Sequence, residues 1–361
     1  MLKERLGSFG VFVSTMSCQH SVLVQSLAKE LGLTIVGLGE LTLRRRRCGK
    51  GFSYCTAAGD TIRNRHQLTR LKSLAVPPAY SDVRFADNPS AHLQAVGVDA
   101  AGRLQYRYHA KWTDVREAVK ARRLSRLCRS LPAIRQAVEK GLACPDCTAE
   151  FAVAAVVRMV DCSAIRAGNE SYARERGTRG ATTLLKSNVS VRAETVTLEF
   201  KAKGGKRVCK DVRDKRLANA LKRMIALPGR RLFQYRLDDG TVRSVRASEV
   251  NAFLREVVGR PISLKDFRTL MGSVGVLDAL LAVPVGPSQR SRRKQLRVAV
   301  ADVAEELANT PTVCRKSYIH AAVIAAFEDG KLSRMRKPRS TAKKAALLAR
   351  LASEHLAREE V

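Results

Sequence analysis

Acidic residues are scarce in this chain. Only 33 Asp and Glu stand against 66 Lys and Arg in 361 residues, a formal net charge of +33. Such an excess opposes folding through self-repulsion, so a polyanionic partner is expected, most simply nucleic acid. Aromatics are also few, at 5% with a single Trp, yet 45% of residues are apolar. That is enough to build cores for two domains, which excludes a disordered tail protein. No apolar run approaches the roughly 18 residues a membrane-spanning helix needs. The longest, Phe151 to Val157 and Val276 to Val285, suit buried core segments, and no membrane partner is expected. Lys3, Glu4 and Arg5 precede an apolar stretch from Leu6 to Met16, but no small-x-small cleavage site follows, so a cytoplasmic location is expected.

Paired cysteine signatures are lacking too. Nine cysteines, an odd number scattered over a long chain, suit reduced thiols in a reducing compartment. Cys144-Pro145-Asp146-Cys147 is the only CxxC, with no second pair or His pair at zinc-finger spacing. Clustered carboxylates of the kind a two-metal site uses are not apparent either, so neither metal nor cofactor is expected. There is no internal repeat.

What is present divides the chain. Residues 1–35 carry apolar and small residues without clear periodicity and read as a poorly specified extension. From Leu41 to His109, Gly and β-formers alternate in short runs, giving a small β-rich domain over about 36–110. From Trp112 the period turns helical, with helices expected at 113–141, 148–164, 214–227, 247–258, 263–282, 292–308 and 311–328. Within that half, Thr195 to Lys201 alternates as a strand, Ala202-Lys203-Gly204-Gly205 turns, and Lys206 to Val212 returns. Gly286 to Lys294 reads as a flexible basic connection, and 329–361 as a basic tail, expected to be helical from its Lys/Arg/Ala content. The fold class is α+β, with a mainly α-helical domain over 111–328.

Three stretches carry the chemistry. Arg166 follows an apolar helix in Ala164 to Tyr172. Ser263 N-caps a helix with Asp266 completing a capping box, placing Lys265 and Arg268 at its positive end, a good place for phosphate. Thr310 and Pro311 read as N-cap and first residue of a helix that carries Tyr318 among Arg315, Lys316 and His320. Positive surroundings lower the free energy of a phenolate. Singly, each feature is ordinary: a lysine beside a Gly-Gly turn or a Lys/Arg pair on a helix is usually a solvated face.

Their order is not ordinary. Arg166, the hairpin Lys203, Lys265-x-x-Arg268, Asn309 and Tyr318 nine residues later resemble the type IB DNA topoisomerases, in their compact poxvirus-like bacterial form. The resemblance runs from about 38 to 328. It includes Arg44-Arg-Arg-Arg-Cys-Gly-Lys-Gly-Phe-Ser-Tyr54, Val76-Pro-Pro-Ala-Tyr-Ser-Asp-Val83, His92-Leu-Gln-Ala and Gly102-Arg-Leu-Gln-Tyr-Arg-Tyr-His109-Ala-Lys-Trp112.

The resemblance implies roles. Tyr318 matches the nucleophile that becomes linked to a 3′ phosphate. Arg166 and Arg268 match the arginines on its non-bridging oxygens, Lys203 the general acid, and Asn309 stands where viral relatives carry His. Arg103, Gln105, Tyr106, Tyr108, Tyr172 and Lys265 match positions that touch DNA, although Tyr106 and Tyr108 also suit cross-strand packing on a half-buried sheet. His92 suits a structural or phosphate contact. The family implies a C-shaped clamp, a monomer acting on double-stranded DNA of the bacterial nucleoid, and relaxation of supercoils of either sign without ATP or metal. Two departures touch the N-terminal edge: Gly37-Leu-Gly-Glu-Leu-Thr-Leu43 replaces an acidic turn, and Tyr80 stands where Trp is common. Tyrosine recombinases share the spacing but usually carry His-x-x-Arg where this chain has Lys265-x-x-Arg268. A non-enzymatic basic nucleic-acid-binding protein would account for the charge but not for the order.

Overall fold

A computed structural model of the chain describes residues 22–359, except 336. Most of the expected extension, residues 1–21, lies outside them. The described residues divide into two units, at Val119 and Lys120.

The N-terminal unit is an antiparallel sheet with short helices. Its strands β1 (Leu43–Cys48), β2 (Gly51–Cys55), β3 (Ser81–Phe85), β4 (Leu93–Val98) and β5 (Leu104–Tyr108) run in the order β2-β1-β3-β4-β5. Helix α1 (residues 22–30) precedes them, and α2 (Arg65–Ser73) lies between β2 and β3. Alternation explains why four consecutive arginines can sit in β1. Arg44 and Arg46 are exposed, while Arg45 turns inward and donates to the carbonyls of Val76, Pro77 and Tyr80 at 2.9, 2.9 and 2.8 Å. The Pro-Pro loop is thereby fastened to the sheet by one guanidinium fork. Residues 22–35 belong to this unit rather than to a loose extension, since Leu27, Ala28 and Leu33 are buried with Val115. Their burial partner is distant in sequence, which local periodicity cannot reveal.

The second unit is mainly helical. Helix α3 (Trp112–Leu142) crosses the boundary and carries Pro132; α4 (Ala149–Ser163) is almost entirely buried and forms the unit's axis. After α5 (Glu170–Arg176) comes a three-stranded sheet, β6 (Val189–Arg192), β7 (Thr195–Lys201) and β8 (Arg207–Arg213), in that order. The expected hairpin is β7–β8; β6 joins its outer side. Then follow α6 (Lys215–Ala226), a small pair β9 (Gln234–Arg236) and β10 (Val242–Ser244), α7 (Ala247–Val258), α8 (Leu264–Leu281), α9 (Gln289–Glu306), α10 (Pro311–Tyr318), α11 (Ala321–Glu328) and α12 (Thr341–Glu359).

Three local differences from the sequence reading have physical causes. The supposed flexible connection is α9 from Gln289 onward, started by Ser288, whose hydroxyl accepts from the Ser291 amide. The supposed tail contains α12, with Ala345, Leu348, Leu351 and Ala352 buried. Apolar positions at three- and four-residue spacing give α12 a core-facing stripe that its overall basic composition disguised. Finally, the helix expected over 311–328 is two helices, α10 and α11, broken at Ile319 and His320. No helix among the described residues is long and apolar enough to cross a membrane.

Candidate active site

The break between α10 and α11 places Tyr318. Rather than lying within a continuous helix, Tyr318 is its last residue, and Ile319 takes an extended conformation with φ −108° and ψ 133°. Helix α8 stabilises that exit. The Ser273 hydroxyl accepts from the His320 amide at 2.9 Å and donates to the Tyr318 carbonyl at 3.2 Å, replacing helical partners that the break removes. One residue earlier, Gly272 lies so close that a Cβ there would be 2.7 Å from the Tyr318 carbonyl oxygen. Lys265, Arg268 and Gly272 follow three- and four-residue spacing on α8, so one rigid helix bears on both the tyrosine and its cations.

The expected basic neighbours of Tyr318 are replaced by others. Arg315 and Lys316 are exposed, and His320 is buried as the N-cap of α11, its Nδ1 accepting from the Ala322 amide. Burial, together with Lys120 and His355, pushes the His320 pKa down to about 3, so at neutral pH it carries no charge. The cations that act on the phenol come from elsewhere in the chain. Arg268 stacks its guanidinium 4.8 Å from the centre of the Tyr318 ring. Burial pushes the phenol pKa up, but Arg268, Arg166 and Lys265 outweigh it, and the net direction is down. A tyrosine held in this way is poised to lose its proton.

Arg268 is only 3% exposed. Its guanidinium donates to the Ala164 carbonyl and, at 2.8 Å, to the Leu307 carbonyl, while its buried Nε has no partner. Burial and the neighbouring Arg166 both lower its pKa, although a guanidinium stays charged across the physiological range. Arg166 donates to Asn309 Oδ1 at 2.9 Å, and Lys206 on the hairpin donates to the Asn309 carbonyl at 2.8 Å. The Asn309 Nδ2 is buried without a partner. Arg166, Arg268, Asn309 and Tyr318, far apart in sequence, thus meet at one place. It carries unpaired donors, and carboxylates are absent from the contacts just described.

The Arg166 loop is held tightly from behind. Ala181 donates its amide to the Arg166 carbonyl at 2.7 Å, and a Cβ on Gly180 would lie 2.5 Å from that carbonyl. Gly180→Ala therefore displaces the loop. We expect it to cost about 1–3 kcal/mol of stability, measured by thermal unfolding.

Lys203 stands apart from these four. It lies at the exposed hairpin turn with Gly204 and Gly205 both at positive φ, and its Nζ is 5.9 Å from the centre of the Tyr172 ring. Tyr172 is 37% exposed, with the Arg176 guanidinium also over its ring, 5.1 Å from the centre. Lys265 is exposed on the first turn of α8, whose start is fixed by Asp266 accepting from the Ser263 amide at 2.8 Å and from Arg123 at 2.7 Å.

In the N-terminal unit, Tyr106 and Tyr108 on the edge strand β5 are 42% and 41% exposed. Their rings stack on each other at 6.1 Å, Tyr108 stacks in turn on Trp112, and Tyr108 also lies 6.1 Å from the His92 ring beside the adjoining strand. Arg103 and Gln105 both donate to Asp99, and those bonds hold its carboxyl well below the usual carboxylate range. His92 has a structural place: its Nδ1 accepts from the Val36 amide and its ring meets Trp112 edge-on at 4.5 Å.

The sequence reading missed Ser273, Arg179 and Lys210. Arg179 and Lys210 line a small recess with Arg166, Arg268 and Glu306. A signal for Lys210 existed: it sits between Val208 and Val212 on the inward face of β8.

Residues 109–346 match the family model described as the eukaryotic DNA topoisomerase I catalytic core. The chain belongs to the type IB DNA topoisomerases. Residues 51–99 match the bacterial DNA topoisomerase IB N-terminal domain, which accounts for the β-rich unit. A curated relative, the DNA topoisomerase 1B of Acanthamoeba polyphaga mimivirus, is 29% identical over 282 residues, covering 76% of this chain and 84% of the relative. The enzyme is thus a DNA topoisomerase with an α+β fold, whose catalytic-core match includes every member of the Tyr318 cluster.

Proposed function

We propose that this enzyme relaxes positive and negative supercoils in double-stranded DNA by transient cleavage of one strand. The Tyr318 oxygen attacks a phosphodiester phosphorus, forming a 3′-phosphotyrosyl bond as the bond to the 5′ oxygen breaks. The phenolic proton passes to water, and Lys203 supplies a proton to the departing 5′ oxygen. Strand rotation follows, and the 5′ hydroxyl reverses the first step. One phosphodiester replaces another of similar energy, so the exchange balances without ATP, redox chemistry or a metal ion.

The observation that carries this reading is the Tyr318 ring against a buried guanidinium at 4.8 Å, with Arg166 and Asn309 beside it. Charge develops on the non-bridging oxygens in the transition state, and preorganised donors in a water-poor site meet it without reorganisation. The unpaired Nε of Arg268 and Nδ2 of Asn309 are donors awaiting such an acceptor. Asn309 contributes a neutral hydrogen bond to the phosphate. Lys203, on a glycine-flanked turn, has the freedom to reach the leaving oxygen. Arg103, Gln105, Tyr106, Tyr108, Tyr172 and Lys265 bind DNA, with the exposed aromatic rings against the groove and the cations on phosphate. The protein acts as a monomer on nucleoid DNA in a bacterial cytoplasm.

The test uses supercoiled plasmid of each sign, the full chain, EDTA and no ATP. Relaxation of both signs is expected, with a detergent-trapped adduct at a 3′ phosphate mapping to Tyr318. An adduct on another residue, or relaxation that requires a divalent ion or ATP, overturns the reading.

A further inference from the structure

Lys210 occupies a place the pattern of its strand reserves for an apolar residue. On β8, Val208, Lys210 and Val212 face inward, and both valines are buried. Across the hairpin, Lys210 pairs with the fully buried Leu198. A valine or leucine would complete this face, whereas the half-buried Lys210 ammonium gives up part of its hydration. The explanation lies in what the ammonium meets. Its Nζ donates to the Ser163 carbonyl at 2.8 Å. Ser163 is the last residue of α4, and the next residue, Ala164, turns the chain at φ 53° and gives its carbonyl to Arg268. Two cations from separate elements, β8 and α8, therefore grip consecutive carbonyls at the negative end of one helix. Arg166 follows two residues later. Lys210 also lines the recess behind Arg166 and Arg268, where Glu306 is the acidic member.

We propose that Lys210 is a positioning residue of the cleavage site, pinning the end of α4 so that the Arg166 loop is held beside Arg268. The inference rests on the functional reading above. It assigns Lys210 no contact with DNA: it acts through the loop, and the hairpin that carries Lys203 becomes mechanically tied to the arginine pair. Burial and Arg268 lower the Lys210 pKa, with Glu306 opposing them, which agrees with an ammonium held against other cations by its carbonyl acceptor.

Lys210→Met keeps the length and bulk of the side chain but removes its charge and donor. The measurement is single-turnover formation of the covalent adduct with plasmid DNA and excess full-length enzyme, alongside DNA affinity and thermal unfolding. We expect the rate constant to fall about tenfold or more, as for a reacting geometry disturbed at one remove, with full final amplitude and affinity within about threefold. Cleavage and religation share a transition state, so both slow together and the fraction of adduct at equilibrium stays at the wild-type level. A rate constant within about threefold of wild type overturns the inference. So does a lower amplitude with an unchanged rate constant, which reports a smaller folded fraction and a merely structural lysine. Absence of any wild-type adduct is a separate failure: it overturns the functional reading and this inference with it.

Discussion

Under the proposed chemistry, Tyr318→Phe is expected to abolish the covalent adduct and to lower plasmid relaxation by a factor on the order of 10⁴ or more, while leaving DNA binding and the fold in place. The substitution removes one oxygen. The ring stays against Arg268 of α8, and the backbone device that ends α10, with Ser273 bonded to the Tyr318 carbonyl and the His320 amide, is untouched. The check is a detergent-trapping assay with labelled DNA, a filter-binding titration and a thermal melt of the same preparation. Residual adduct at wild-type level would remove Tyr318 from the chemistry. Loss of DNA binding in parallel with activity would instead assign the tyrosine to the fold.

The second large effect is on Arg268. Arg268→Ala is expected to slow cleavage by about 10³-fold, within the range for losing a preorganised charged donor, and to lower the thermal midpoint as well. Stability falls because the guanidinium is nearly fully buried and serves two carbonyls, Ala164 and Leu307. Each carbonyl left without a donor costs about 1–3 kcal/mol, and the vacated volume adds a cavity term. Those carbonyls lie on the loops that carry Arg166 and Asn309. Arg268, proposed to act on the phosphate, therefore also sets the position of its two companions. The effects of Arg166→Ala and Arg268→Ala are consequently not additive: the double variant is expected to lose less than the product of the single losses. Arg268→Lys recovers little, since an ammonium lacks the planar fork that reaches two carbonyls and a ring at once. Full additivity in a double-mutant cycle of cleavage rates would mean that the arginines act independently.

Much of the fold could be read in residue order because its signals are local. Alternation along 195–201 and 206–212 around a Gly-Gly turn identified the β7–β8 hairpin, and Thr310-Pro311 identified the start of α10, where the Thr310 hydroxyl accepts from the Val313 amide. Capping and turn chemistry act over a few residues, so they can be recognised without knowing the neighbours. Other features depend on partners far away in sequence. The burial of α1 needs Val115, and α12 packs through a stripe hidden in a basic composition. The break after Tyr318 needs a serine hydroxyl 45 residues upstream. Nothing between Pro311 and Glu328 announces that break, because the sequence there is compatible with a continuous helix.

The same division applies to the site. By itself, the sequence determined the class of partner through its excess of positive charge, and the family through the order of Arg166, Lys203, Lys265-x-x-Arg268, Asn309 and Tyr318. Tertiary structure decided which cations act on the phenol. The helical neighbours Arg315, Lys316 and His320 appeared to surround it, yet two face solvent and the third is buried neutral. The field comes instead from Arg268, Arg166 and Lys265, brought in by α8 and the α4 exit. It also decided that Asn309 bonds Arg166, that Lys210 grips the end of α4, and that Lys203 stays on a separate, exposed turn. Charge and order are properties of a chain, whereas electrostatic influence falls with distance and depends on burial, so only folding decides which few of 66 basic residues bear on one oxygen atom.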